Sequence, residues 1–261
     1  MIAETITSAQ NPKIKKLLAL QQKSSERKES GLFVVEGRRE FEHCVEAGYT
    51  VDTVFLSEDF LPNGTAIPEG AKTFRVSPAV YEKIAYRGGT EGIIAEVRSR
   101  QLNIDDLKTG DAPVIIVLES VEKPGNLGAV LRSADAAGAD AVIVCDPLTD
   151  IYNPNLIRAS IGAVFTVPCV TCSSEEAIKF LKLNGIQILT AQLQDSSLYY
   201  DCDMKRGTAI VMGTESTGLT EIWRQAADAH IRIPMLGRLD SLNVSVSAAI
   251  LLFEAVRQRS L

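Results

Sequence analysis

Three segments of this 261-residue chain gather the residue types that bind and react at the edge of an open sheet. Lys123-Pro-Gly-Asn-Leu-Gly-Ala-Val-Leu-Arg-Ser-Ala-Asp-Ala-Ala-Gly138 runs from a turn into a helix, and Val211-Met-Gly-Thr-Glu-Ser-Thr-Gly-Leu219 leaves a strand through a glycine. Ile233-Pro-Met-Leu-Gly-Arg-Leu-Asp-Ser-Leu-Asn-Val-Ser-Val-Ser-Ala-Ala-Ile250 joins a strand end to a helix of small residues through a polar Ser-Leu-Asn knuckle. The titratable residues singled out within them are Arg132 and Glu215, whereas His43 and His230 both lie outside these loops. Imidazole acid–base chemistry is therefore not indicated. Pro124-Gly-Asn-Leu-Gly128 lies between a strand and a helix, as a dinucleotide site would, yet the G-x-G-x-x-G fingerprint and its acidic ribose ligand are missing. A plainer reading stays open for each segment: a turn glycine followed by a helix N-cap, with Asn126 and Asn243 as the caps.

The elements that must position these segments follow from apolar periodicity. Val114–Leu118, Ala141–Cys145, Val164–Val170, Ile186–Thr190, Ala209–Met212 and His230–Ile233 read as strands. Between them, Leu127–Ala137, Asn155–Ile161, Glu175–Leu183, Glu221–Ala227 and Val244–Arg257 read as helices. This alternation predicts an α/β fold with a mostly parallel sheet covered on both faces. In such sheets ligands bind beyond the carboxyl ends of the strands, which is where all three segments begin. Upstream, strands at Leu32–Glu36, Val51–Leu56 and Gly92–Val97 with helices at Arg38–Ala47 and Ser77–Tyr86 predict a small α/β domain. The polar stretch Arg98–Pro113 between them reads as a linker. The expected domains are residues 1–105 and 106–261, without internal repeats.

A net charge of −6 argues against a polybasic nucleic-acid binder. The distribution qualifies this: residues 1–40 hold eight Lys/Arg against five Glu, a net of +3 that leaves −9 for the remainder. A solvated helix face would show the same excess. No stretch approaches the ~20 apolar residues of a membrane span, and the first residues lack a signal-peptide pattern. The expected location is the cytoplasm. Five cysteines include one C-x-x-C pair, Cys169 and Cys172, without a second pair or nearby histidine, so reduced thiols and no metal are expected.

Together and in this order, the three segments resemble the signature motifs of the SpoU (TrmH-type) RNA ribose 2′-O-methyltransferases of the SPOUT superfamily. Phe33-Val-Val-Glu-Gly-Arg38 and Gly92-Ile-Ile-Ala95 resemble the ribosomal-protein-like substrate-binding domain that often precedes that catalytic domain, and Ser160-Ile-Gly-Ala163 is a further shared piece. Glu119, Lys123 and Glu91 depart from the usual residues at the motif edges. The resemblance implies a C-terminal trefoil knot, a homodimer whose active site joins both chains, and S-adenosylmethionine bound in a bent form. By correspondence the cofactor would lie against Gly213, Ile233 and Leu242, with Ala191 and Met235 nearby. Gly213, Gly218 and Gly237 would permit close backbone approach and unusual dihedrals. The catalytic set would be Arg132, Asn126, Glu215, Ser241 and Asn243.

The implied chemistry is in-line methyl transfer to a ribose oxygen, which rests on positioning and loss of the hydroxyl proton. A guanidinium stays protonated and is a poor acceptor, so Arg132 reads better as a clamp on the target phosphate. Its plainer reading is a surface ion pair. Glu215 could accept the proton or hold Asn126 or Arg132, its plainer role being a helix-dipole partner. Ser241 and Asn243 could hydrogen-bond ribose or cofactor. Lys13, Lys15, Arg38 and Arg87, with the Arg87-Gly-Gly89 turn, are candidate phosphate contacts for structured RNA, ribosomal in preference to transfer RNA. The alternative is a non-catalytic RNA-binding or ribosome-assembly protein that keeps the fold.

Overall fold

Asn11 opens the first helix, its side chain accepting the Lys13 N–H at 2.9 Å, and Pro12 supplies a φ already suited to a helical start. In chain order, β1 (Ala3–Ile6), α1 (Pro12–Gln22), α2 (Ser24–Ser30), β2 (Leu32–Glu36), α3 (Arg38–Glu46), β3 (Val51–Ser57), β4 (Lys72–Val76), α4 (Pro78–Ile84) and β5 (Ile93–Arg98) come first. Then follow β6 (Val114–Glu119), α5 (Pro124–Ala136), β7 (Ala141–Cys145), α6 (Pro154–Ala159), α7 (Ala163–Thr166), β8 (Cys169–Cys172), α8 (Ser174–Leu183) and β9 (Gln187–Ala191). The chain continues through β10 (Ser197–Leu198), β11 (Thr208–Met212), α9 (Glu221–Ala226), β12 (Ala229–Arg232) and α10 (Val244–Arg259). The computed structural model describes residues 3–57, 59, 64–86, 91–214 and 217–260.

Packing divides the chain into Met1–Arg100 with Asp150–Thr166, and Gln101–Thr149 with Val167–Leu261. The first unit is built on a five-stranded sheet in the order β1-β4-β3-β5-β2, parallel at β1–β4 and β3–β4, antiparallel at β3–β5 and β2–β5. The stripe Ile14, Leu17, Leu20 on α1 closes one face, with the spacing of a helix lying on a sheet. Residues 150–166, placed in the second domain by their position in the sequence, pack here instead. Tyr152 stacks on Phe33 with ring centroids 4.2 Å apart, Phe165 meets Tyr49 at 5.2 Å, and Asp150 pairs with buried Arg27 at 2.6 Å. This packing also corrects the expected strand at Val164–Val170: the aromatic cluster takes Phe165 as part of α7, and β8 begins only after Pro168. Gly162, at φ +82, lies so close over His43 that an added Cβ would stand 2.8 Å from its Nδ1.

The second unit carries a seven-stranded sheet in the order β10-β12-β9-β11-β6-β7-β8, parallel at each described pairing. On one face Ile115, Val117, Ile143, Ala209 and Val211 pack with Phe180 and Leu181 of α8 and Trp223 of α9. The opposite face is covered by α5 and α10, which also pack on each other. Each such aliphatic side chain withdrawn from water contributes roughly 1.5–3 kcal/mol, and burial on both faces explains the continuous apolar runs. At the far end of α10, Arg259 donates to the carbonyls of Met204 and Arg206 and holds that helix to the loop before β11. No helix among the described residues is long and apolar enough to cross a membrane, and no cluster there could hold a metal ion. All five cysteines are free thiols; Cys145 lies opposite Cys172 across β7 and β8, while burial pushes the Cys169 thiol up to about 12.

Candidate active site

Strands β9, β11 and β12 end on the same edge of the sheet, and the loops leaving them enclose a cavity of about 460 Å³. Ala191, Gly213, Ile233, Met235 and Leu242 all line it, together with Ser241. A smaller recess of about 140 Å³ adjoins it at Gly213, Thr214 and Val244, and is completed by Lys123 and Asn126. The structure thus brings parts of all three sequence segments to one place.

The wall after β11 is a closed loop. Thr214 and Gly218 form a β-bridge, the Thr217 N–H donates to Thr214 Oγ1 at 3.0 Å, and the Gly218 N–H donates to the Thr214 carbonyl at 3.1 Å. Gly213 stands at the crossing: a Cβ there would lie 2.3 Å from both the carbonyl carbon and oxygen of Gly218. Nothing lies within 4 Å of a Cβ at Gly237, so close approach is required at Gly213 and not at that second glycine.

Asn243 caps α10, its Oδ1 accepting from the Ser245 N–H at 2.9 Å, while its Nδ2 donates to Asn126 Oδ1 at 3.2 Å. This bond ties the first segment to the third. Asn126 is not a cap, because Lys123 occupies that position and Asn126 sits within the first turn of α5. Arg132, six residues further along α5 and about 120° around its axis, is exposed, lines neither cavity and forms no ion pair among the described residues. Ser241 donates to Asp240 Oδ1 at 3.3 Å. Glu215 and Arg87 lie outside the described residues, as do Gly88 and Gly89.

On the first unit, Lys13 and Lys15 are exposed on α1, Lys13 lying 4.8 Å from the centre of the Phe74 ring. Arg38 opens α3 with its backbone N–H donating to Glu91 at 2.8 Å. The basic excess of residues 1–40 is smaller at the surface than in the sequence, since Arg27 is buried on Asp150 and Lys16 pairs with buried Glu96 at 2.6 Å. His230 is engaged by Thr190 Oγ1 at 2.6 Å and does not line the larger cavity. Gln192, Thr217, Arg224 and Asp240 also line that cavity and were not anticipated. Gln192 immediately follows β9, a position that the strand-end rule alone would have marked.

Residues 113–253 match the SpoU rRNA Methylase family, and residues 11–95 match an MRM3-like substrate binding domain. A 23S rRNA (guanosine-2′-O-)-methyltransferase RlmB from Ralstonia nicotianae is 38% identical over 194 residues, covering 71% of this chain and 78% of the relative. The chain belongs to the SpoU rRNA methylase family. The fold agrees: an AdoMet-bound rRNA methyltransferase from Sinorhizobium meliloti superposes with a TM-score of 0.90 at 29% identity, covering 98% of each chain. A crystal structure of an RNA 2′-O ribose methyltransferase gives 0.84 at 38% identity, covering 98% of this chain and all of that one.

Within this SpoU domain, Glu119 marks the end of β6 and is buried. Its carboxylate accepts from the Thr220 N–H at 2.8 Å and the Thr220 hydroxyl at 2.5 Å, directly after the 213–219 loop. Beside it the Ser174 hydroxyl donates to Asp146 at 2.6 Å and accepts from Trp223 Nε1 at 3.0 Å. A carboxylate at position 119 therefore fixes the far end of the loop that Gly213 begins. Glu119→Ala removes the buried carboxylate that accepts both Thr220 bonds and is expected to cost about 1–2 kcal/mol in urea-induced unfolding. A loss below about 0.5 kcal/mol would mean that the carboxylate holds nothing in place.

Proposed function

We propose that this chain transfers a methyl group from S-adenosylmethionine to the 2′-hydroxyl of a ribose in ribosomal RNA. The observation that carries the reading is the joining of all three family segments at one cavity beside the Asn126–Asn243 hydrogen bond. The residues fit the cofactor: about 460 Å³ lies within the range of small-molecule sites, and the walls combine apolar side chains such as Ile233, Met235 and Leu242 with polar ones such as Gln192, Arg224 and Ser241. Gly213, Ile233, Leu242, Ala191 and Met235 would hold it. When bound, S-adenosylmethionine supplies a methyl group activated by its sulfonium.

The chain's own residues supply position and charge. Asn126 lines the smaller recess, its amide held by Asn243, and can orient an entering ribose hydroxyl there. Arg132 stays cationic and clamps the target phosphate, easing loss of the hydroxyl proton to Glu215, water or the RNA. Because exposed Arg132 lines neither cavity of its own chain, the reading includes a homodimer in which this side chain serves the partner's site, and it includes the family's trefoil knot. Ser241 completes the polar rim. Lys13, Lys15, Arg38 and Arg87 contact the RNA backbone from the first unit, and the work is cytoplasmic.

The test is to map 2′-O-methyl sites in RNA from cells with and without the protein, alongside calorimetry with S-adenosylmethionine. Loss of a defined ribosomal site is the expected result. Absence of cofactor binding would replace this reading with a non-catalytic RNA-binding or assembly role.

A further inference from the structure

Two complementary polar atoms lie unsatisfied at one end of the larger cavity. Arg224 Nε, a donor, and Gln192 Oε1, an acceptor, are both shielded from solvent without a hydrogen-bond partner among the described residues. Both residues line the main cavity and also an adjoining polar recess of about 300 Å³, where Gln194, Asp195 and His230 complete the wall. Gln192 Nε2 is already spent on the Gln194 carbonyl at 2.9 Å. The cavity's other arginine, Arg232, already meets Ser196 Oγ at 3.4 Å. Among the described residues Arg224 has no ion pair, although Asp195 and Glu221 face the same recess.

A buried donor or acceptor left unmade is costly, so such a pair in a cavity wall points to a ligand that satisfies both. The group required carries an anion to meet the guanidinium and a cationic donor to meet the amide oxygen. A zwitterionic α-amino acid carries both on one carbon. We propose that Arg224 and Gln192 form the subsite for the amino-acid end of the cofactor, Arg224 taking the α-carboxylate and Gln192 Oε1 the α-ammonium. The proposal rests on the methyltransferase reading, since it assigns a part of that same cavity.

The experiment compares two ligands by calorimetry on the full chain. S-Adenosylhomocysteine carries the amino-acid end; 5′-methylthioadenosine lacks it and keeps the nucleoside and sulfur. Arg224→Gln is expected to weaken S-adenosylhomocysteine about 10- to 100-fold, the range of a charged hydrogen bond, and to leave 5′-methylthioadenosine within about twofold. Gln192→Leu should shift the first ligand in the same direction and spare the second. Equal weakening of both ligands, with thermal melts showing a folded protein, would make Arg224 a support of the wall and overturn the subsite. Unchanged affinity for both would place the amino-acid end elsewhere and overturn it too. If wild type binds neither ligand, the methyltransferase reading itself fails and takes the subsite with it.

Discussion

Gly213→Ala is expected to weaken S-adenosylmethionine binding by about 30- to 100-fold, with the protein still folded. A methyl group there meets only backbone: the Gly218 carbonyl carbon and oxygen at 2.3 Å and Leu219 N at 2.5 Å. Backbone cannot rotate aside as a side-chain tip can, so the loop must open or strain. The ~2–3 kcal/mol that such overpacking costs then appears as lost affinity, at 1.4 kcal/mol for each tenfold. Gly237→Ala provides the control, since its Cβ would enter open space and affinity should stay within about threefold. Calorimetry on both variants decides the matter: equal affinities would remove the 213–219 loop from the cofactor wall.

Arg132→Ala should act differently, lowering methyl transfer by about 10²- to 10³-fold, the usual loss when one charge-stabilising group is removed. Cofactor affinity should remain within about threefold, because Arg132 lines neither cavity. Equal loss of both properties in a folded protein would refute the assignment. Mixing this variant with Gly213→Ala asks in which chain the arginine works. If it serves the partner's site, an equal mixture regains about one quarter of wild-type activity, since half of the dimers are mixed and each carries one complete site. If it serves its own chain, the mixture stays inactive at a cofactor concentration too low to load Gly213→Ala.

Much of this site was legible because its constraints are local. Asn243 before a run of small helical residues reads as a cap, and the structure places its Oδ1 on the Ser245 N–H. The parallel sheet was legible because strands buried on both faces cannot hide their apolar runs. What stayed hidden depends on neighbours remote in sequence. Gln192 and Arg224 are ordinary surface types, and only burial without a partner sets them apart. Arg27 counted as a surface cation until Asp150, over a hundred residues later, was seen to neutralise it. The strand expected at Val164–Val170 failed for the same reason: its β-favouring residues are claimed by an aromatic cluster whose other rings are Phe33, Tyr49 and Tyr152.

That cluster also orders events during synthesis. Phe33 leaves the ribosome more than a hundred residues before Tyr152 and Phe165, which stack on or beside it. At roughly 5–20 residues per second, the 66 residues from 100 to 166 take about 3 to 13 s to appear. Through that interval Phe33 and Tyr49 have no aromatic lid, and Arg27 has no counter-charge. A nascent chain stalled after residue 105 should therefore be open to protease around Phe33. One stalled late enough to expose residue 166 should be protected there.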